Sequence, residues 1–289
     1  MRLPVLKTYK LYINGAFPRT ESGRSLRVES PDGTVLGHVC HASRKDLRDA
    51  VGAAHGASKG WAKRTAYNRA QILYRLSEML EGKADEFTKA IRDSTGRPAR
   101  SVRREVDAAI DRLVGYAGWA DKYAQILGCN NPVAGPFYNF TVPEPTGTVA
   151  VVCPDDPPLL GMISLLAPVI CGGSAAIVVA PDSCPIAASI LGEVCATSDV
   201  PAGVINILTG QREELLAWIA EHREINAVHA AGLDADETRT LRLGAAENVK
   251  RVHVRDIDES DWYDPDVCES PWWIEPFVEM KTIWHPAST

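Results

Sequence analysis

Residues 7–41 alternate short β-prone segments (KLYING, SLRVESP, VLGHVC) with turn residues at Asn14-Gly15, Ser22-Gly23 and Pro31-Asp32-Gly33, which predicts hairpins. From Arg44 the apolar period lengthens to three and four residues. A weakly amphipathic helix is expected over Arg44–Trp61. A stronger one is expected over Tyr67–Ser94, where Ile72, Leu73, Leu76, Met79, Leu80, Phe87, Ala90 and Ile91 recur at helical spacing. Gly96 and Pro98 end it. A third helix is expected from about Ala99 to Ile126, with Val102, Val106, Ile110 and Val114 on one face. After residue 147 the pattern changes again. GTVAVVC, SAAIVVA, VINIL (204–208) and NAVHAA (226–231) are short apolar runs separated by helical stretches. Strands that are apolar on both faces and alternate with helices require a parallel sheet covered on both sides. The fold class expected is α/β: a Rossmann-like doubly wound sheet preceded by N-terminal helices.

Two segments break the alternation. Asp256–Asp266 is rich in acidic residues, and residues 256–271 are expected to form an exposed linker. In WWIEPFVEMKTIWHP, Val278, Met280, Thr282 and Trp284 alternate with Glu279 and Lys281, which predicts a terminal strand within 272–289.

Composition and charge narrow the function classes. A net charge of −6 gives no basic face for nucleic acid or anionic membrane, and neither is expected as a partner. No apolar run is long enough to span a bilayer, and MRLPVLKTYK lacks the apolar core of a leader, so a cytoplasmic location is expected. Seven cysteines without CxxC spacing are expected to be reduced thiols. Cys153, Cys171, Cys184 and Cys195 lie in strand or helix patterns and are expected to pack as small apolar groups rather than act as nucleophiles. The seven histidines show no metal-ligand spacing, and no metal site is expected. Asp155 and Asp156 are expected as solvent-facing loop acids rather than a catalytic pair.

The order of several segments resembles the aldehyde dehydrogenase superfamily: LYINGAF (11–17), GWAKRTAYNRAQILYRLSEMLE (60–81), AGWADKYAQILG (117–128), EPTGTVAVVCPDDPPLL (144–160), LAPVICGGSAAIVVAP (166–181) and DVPAGVINILTG (199–210). The resemblance implies an NAD-binding domain over 1–255, oligomerisation strands near 137–145 and in the C-terminal tail, and NAD(P)-dependent oxidation of aldehydes.

It also places functional positions, and several hold the wrong chemistry. The family asparagine that donates to the oxyanion aligns with Asp156, where a carboxylate would repel the developing charge. The general-base glutamate aligns with Arg255, which cannot accept a proton at neutral pH. No segment like the one carrying the nucleophilic cysteine is found, and residues 256–271 stand where the catalytic domain is expected. The lysine that contacts the adenosine ribose aligns with Ala180, followed by Pro181 and Asp182. Gly232 survives from the motif opening the pyrophosphate-facing helix, but Leu233, Asp234, Asp236 and Glu237 crowd that helix start and would compete with an anionic ligand. Pro181, Asp182 and Gly232 are therefore vestigial cofactor positions. No cofactor is expected, or NAD only weakly.

These departures lead to the expectation of a non-catalytic member, inactive alone, serving as a structural or regulatory subunit of an aldehyde dehydrogenase hetero-oligomer. Its contacts would be Phe137 to Pro145 and Phe277 to Trp284, with a full-length enzyme or a second copy as partner. The alternatives are an NAD(P)-dependent oxidoreductase acting on aldehydes and a small-ligand binding module.

Overall fold

The computed structural model describes residues 5–287; the ends of the expected 1–255 and 272–289 units, and part of the segment read for a leader, lie outside them. The N-terminal strands β1 (Thr8–Tyr9), β2 (Ser25–Glu29) and β3 (Val35–Cys40) form a small sheet in the order β1-β3-β2. Asn14-Gly15 makes a tight two-residue turn, with Ile13 and Ala16 exchanging backbone hydrogen bonds at 3.0 Å, and β2 and β3 form a hairpin, whereas β1 runs parallel to β3. The next segment is claimed by the main sheet, because Tyr12 exchanges backbone hydrogen bonds with Ile207.

Helix α1 (Arg44–Ala62) starts where expected. Its capping box joins Ser43 and Asp46, and Thr20 donates a further 2.6 Å bond to Asp46. The long second helix is two: α2 (Ala66–Glu81) and α3 (Ala84–Thr95), with α2 capped at Gly82 and Lys83 preceding α3. The apolar spacing runs across this bend because both helices bury a face against the same core. The third helix is also two, α4 (Ala99–Trp119) and α5 (Tyr123–Leu127). Its buried stripe is Val102, Glu105, Val106, Ala109, Arg112, Leu113 and Tyr116, whereas Val114 is exposed. A strict four-residue step drifts by about 40° per step on a helix of 3.6 residues per turn, so a row counted in fours leaves the core.

Strands β4 (Cys129–Asn131) and β5 (Phe137–Pro145) belong to a separate sheet. The chain then enters the doubly wound unit: β6 (Thr148–Val152), α6 (Pro158–Cys171), β7 (Ala175–Val179), α7 (Pro185–Thr197), β8 (Ile205–Leu208), α8 (Arg212–Glu221), β9 (Ala227–Ala231), α9 (Ala235–Ala246) and β10 (Arg251–Arg255). The five strands are all parallel in the order β10-β9-β6-β7-β8. Side chains alternate between two apolar layers. Val149, Val151, Ala176 and Val178 face α2, α4, α6 and α7, while Ala150, Val152, Ile177 and Val179 face α1 and α8. The central strands and α6 are buried along their whole length, as expected for a sheet covered on both faces.

Residues 256–271 are not an exposed linker. A 3-10 turn at Asp261–Tyr263 and α10 (Pro265–Cys268) bury Trp262 and Cys268. The acids face solvent while those apolar groups seal the α4–α6 surface. Arg112, itself buried, donates to the Trp262 and Cys268 carbonyls at 2.9 and 3.0 Å and to Ser164 Oγ at 2.9 Å. Beyond two more 3-10 turns, β11 (Val278–Pro286) pairs antiparallel with the whole of β5 in a sheet of order β11-β5-β4. The expected terminal strand and the 137–145 strand are thus direct neighbours.

Candidate functional site

In an open parallel sheet, ligands bind outside the carboxyl ends of the strands, where the strand order reverses. Here the reversal falls between β6 and β9. Three loops meet there: Cys153–Asp155 after β6, Ala180–Ser183 after β7 and Gly232–Asp234 after β9. Gly232 has φ of +66° and its α-carbon lies so near Pro154 that a β-carbon would approach the proline ring at 3.0 Å, so the turn requires glycine.

The space between these loops is crossed by Arg212, from the first turn of α8. Its Nε donates to Glu237 Oε1 at 2.9 Å, its Nη1 donates to the Cys153 carbonyl at 3.3 Å, and Nη1 lies 3.5 Å from Asp155 Oδ2. Its side chain is only 11% exposed. Asp182 accepts the Arg212 backbone N–H at 3.2 Å, satisfying the start of α8. Ser183 donates to Asp155 from both its backbone N–H and its hydroxyl. The N-terminus of α9 is closed by its own capping box: Asp234 accepts the Glu237 N–H at 2.8 Å and Glu237 accepts the Asp234 N–H at 3.0 Å. The positive pole that could meet a phosphate is therefore supplied with two carboxylates.

A second helix pole is closed in the same way. Glu105 of α4, fully buried, accepts the Leu159 and Leu160 N–H groups of α6 at 2.8 and 3.3 Å. Its other oxygen accepts from Arg97 at 2.6 Å, and the same Arg97 nitrogen donates to Asp156 at 3.1 Å. Burial pushes the Glu105 carboxyl above its ordinary range, and Arg97 with the two amides works against that rise.

At the end of β10, Arg255 turns inward. Its Nε donates to His229 Nε2 at 3.0 Å, and its guanidinium stacks on Trp273 at 4.3 Å. His229 Nδ1 donates to the Leu165 carbonyl at 2.9 Å, which leaves Nε2 as the acceptor and makes the imidazole neutral. Burial first, and Arg255 second, hold its pKa well below the usual histidine value. Arg255 also has its own pKa lowered by burial, and its Nη2 has no hydrogen-bond partner.

This chain matches the aldehyde dehydrogenase family over residues 18–255. The 2-hydroxymuconic semialdehyde dehydrogenase of Pseudomonas sp. (strain CF600) is 33% identical over 258 residues, covering 86% of this chain and 52% of that protein. The chain belongs to the aldehyde dehydrogenase family. D-glyceraldehyde dehydrogenase (NADP(+)) of Thermoplasma acidophilum is 28% identical, covering 84% of the chain and 49% of its own length. An aldehyde dehydrogenase from Bacillus cereus, solved as an NAD+ complex, superposes with a TM-score of 0.81 at 26% identity, covering 86% of this chain and 50% of that one. The chain spans about half the length of these relatives.

Within the family frame, the positions singled out in the sequence fall in three places. Pro181, Asp182 and Gly232 do converge on the sheet's switch point, with Ala180 buried beside them. Asp156 is exposed near the start of α6, paired with Arg97. Arg255 lies apart from both, against His229 and Trp273. Asp155 and Asp156 engage different arginines, so they form no carboxylate pair. Cys153, Cys171, Cys184 and Cys195 are buried, and burial raises every one of these thiols, Cys171 and Cys195 to about 12 and Cys184 to about 11. Among the described residues no group of three or more His, Cys, Asp or Glu side chains could hold a metal, and no helix is long and apolar enough to cross a membrane. Arg212, Glu105, Arg97 and His229 were not singled out in the sequence. One signal was available: Glu105 and Arg112 sit inside the apolar stripe of α4, where a solvated charge would not be placed.

Proposed function

We propose that this chain is a non-catalytic aldehyde dehydrogenase-like protein that acts as a structural or regulatory subunit of a hetero-oligomer containing an active family member. The carrying observation is Arg212. Its guanidinium, with Glu237 and Asp155, fills the crevice where a dinucleotide's phosphates would lie. NAD does not fit these residues. The ribose-contacting position is an alanine, the phosphate-facing helix start is capped by carboxylates, and admitting a pyrophosphate would require dismantling the two ion pairs of Arg212 and its bond to the Cys153 carbonyl. Asp156 adds negative charge where an oxyanion would form, and Arg255, bound to neutral His229, offers no base.

The subunit role draws on the β4-β5-β11 sheet, which sits apart from the main sheet and exposes Phe137, Tyr138, Met280 and Trp284. Aromatic side chains on such a sheet are what an interface uses. The test is capture of the tagged full chain from its own cells, with NAD-dependent aldehyde oxidation assayed in the eluate and on the purified chain. An active dehydrogenase in the eluate beside an inactive chain supports the proposal.

The enzyme reading is favoured by one finding, that relatives covering most of this chain are named as dehydrogenases. Aldehyde oxidation by the purified chain alone would establish it and sink the subunit role.

A further inference from the structure

We infer that β11 is a self-complementary docking edge through which two copies of this chain pair, joining their small sheets into one of six strands. The phase of hydrogen bonding along β11 is set at its start, where the Thr146 N–H bonds the Phe277 carbonyl at 3.0 Å. With the register Val278 opposite Pro145, the odd-numbered residues Glu279, Lys281, Ile283 and His285 direct their backbone groups at β5. Pro143 and Pro145, which lack an N–H, fall opposite even-numbered residues, as this phase requires. Met280, Thr282 and Trp284 therefore direct their N–H and C=O groups away from β5, along an edge that pairs with no described strand.

That window is bounded on both sides. The Val278 carbonyl is taken by Arg251 Nη1 at 2.8 Å, and Pro286 has no N–H to offer. Its centre is Thr282. A two-fold axis through Thr282 sets each Met280 opposite Trp284 of the other copy and Thr282 opposite itself, all at hydrogen-bonding positions. The same register sets Lys281 opposite Ile283 and Glu279 opposite His285, so no like charges meet. Met280 and Trp284, 45% and 58% exposed, would cover one another, with Trp284 already braced edge-on against Phe137 at 5.7 Å. Thr141 and Thr282, whose hydroxyls are 3.0 Å apart, would continue into a threonine ladder across the axis. Each copy's body joins its small sheet at the Val278 and Pro145 end, so antiparallel pairing puts the two bodies at opposite ends. The opposite edge of the small sheet, β4, is only three residues long and offers no comparable template.

This pairing goes beyond the subunit reading and would compete with it, since a dimer occupies a strand proposed for the hetero-oligomer. Sedimentation velocity of the full chain tests it. The unaltered chain is expected at twice 31.4 kDa. Thr282→Pro removes an outward N–H and no bond to β5, so it is expected to sediment as a folded monomer whose thermal melt no longer rises with protein concentration as the dimer's does. Thr282→Lys, at an exposed position, sets two ammonium groups across the axis and serves as a second variant should the proline unfold the strand. A monomeric unaltered chain, or a dimer that survives both folded variants, overturns the inference. The two readings fail separately: a monomer that still captures an active dehydrogenase sinks the self-pairing alone, and a dimer that captures none sinks the subunit role alone.

Discussion

Replacing Arg212 by alanine removes the group that holds the crevice shut, and its cost can be worked from the contacts. Glu237, 15% exposed, loses its one cationic partner among the described residues, while Asp155, 42% exposed, is largely hydrated without one. The Cys153 carbonyl loses a donor. Breaking a buried ion pair from one side costs about 3 to 5 kcal/mol, and the partial hydration here places this case near the lower figure. At about 2 °C per kcal/mol for a domain of this size, the melting temperature should fall by about 6 °C. The Glu237→Gln variant should lose less, about 1 kcal/mol, because an amide still accepts the Asp234 N–H. In the double variant no charge is stranded, so the losses should fall short of additivity by about 1 to 2 kcal/mol. Calorimetric melts of the four proteins read this directly. An Arg212→Ala protein that melts within about 1 °C of the unaltered chain would refute the claim that this contact organises the crevice.

Three further outcomes follow from the buried charges and thiols. The Glu105 carboxyl is raised above 4.5 in the folded chain, so the native state holds the proton more tightly and stability falls as pH rises from about 4.5 through the folded value. Relative to Glu105→Gln, which lacks this fall, the unaltered chain should lose ground in urea midpoints measured upward from about pH 5; a flat difference or the opposite slope contradicts it. Arg112→Ala should cost about 2 kcal/mol by stranding the Trp262 carbonyl and leaving the Cys268 carbonyl to the Tyr116 hydroxyl, and limited proteolysis should then cut first within 256–271; unchanged digestion would argue against that anchoring. A disulfide reagent should label exposed Cys129 quickly in the native chain and reach the other six, all buried, only on unfolding; fast labelling at Cys153 or Cys184 would reopen the case for a nucleophile.

The doubly wound sheet was legible because its central strands are unbroken apolar runs, and only a parallel sheet covered on both faces buries such runs. Helix boundaries were less so. The step from α2 to α3 leaves no break in apolar spacing, since both pack on one core. The 256–271 segment misled because its acids dominate composition, whereas Trp262 and Cys268, two apolar side chains, decide its packing. At the candidate site, the identity of Asp156, Ala180 and Arg255 spoke against catalysis by substitution alone. What sequence did not reveal is how the vacated chemistry is closed. Arg212 acts through Glu237 and the Cys153 carbonyl, 25 and 59 residues away, and such contacts across a fold have no local signature; Glu105 was marked only by its place in the apolar stripe of α4, which does not name the α6 amides it meets. The parity of β11 was readable as alternation, but which residues face its open edge depended on the hydrogen-bond phase at Phe277 and Thr146.

The most direct measurement of the central claim is a calorimetric titration of the purified chain with NAD+. With Arg212 bound to Glu237 and Asp155 across the switch point, and with carboxylates at the start of α9, the account predicts no saturable heat. Saturable one-to-one binding would contradict it, and would mean that the Arg212 contacts yield to the dinucleotide.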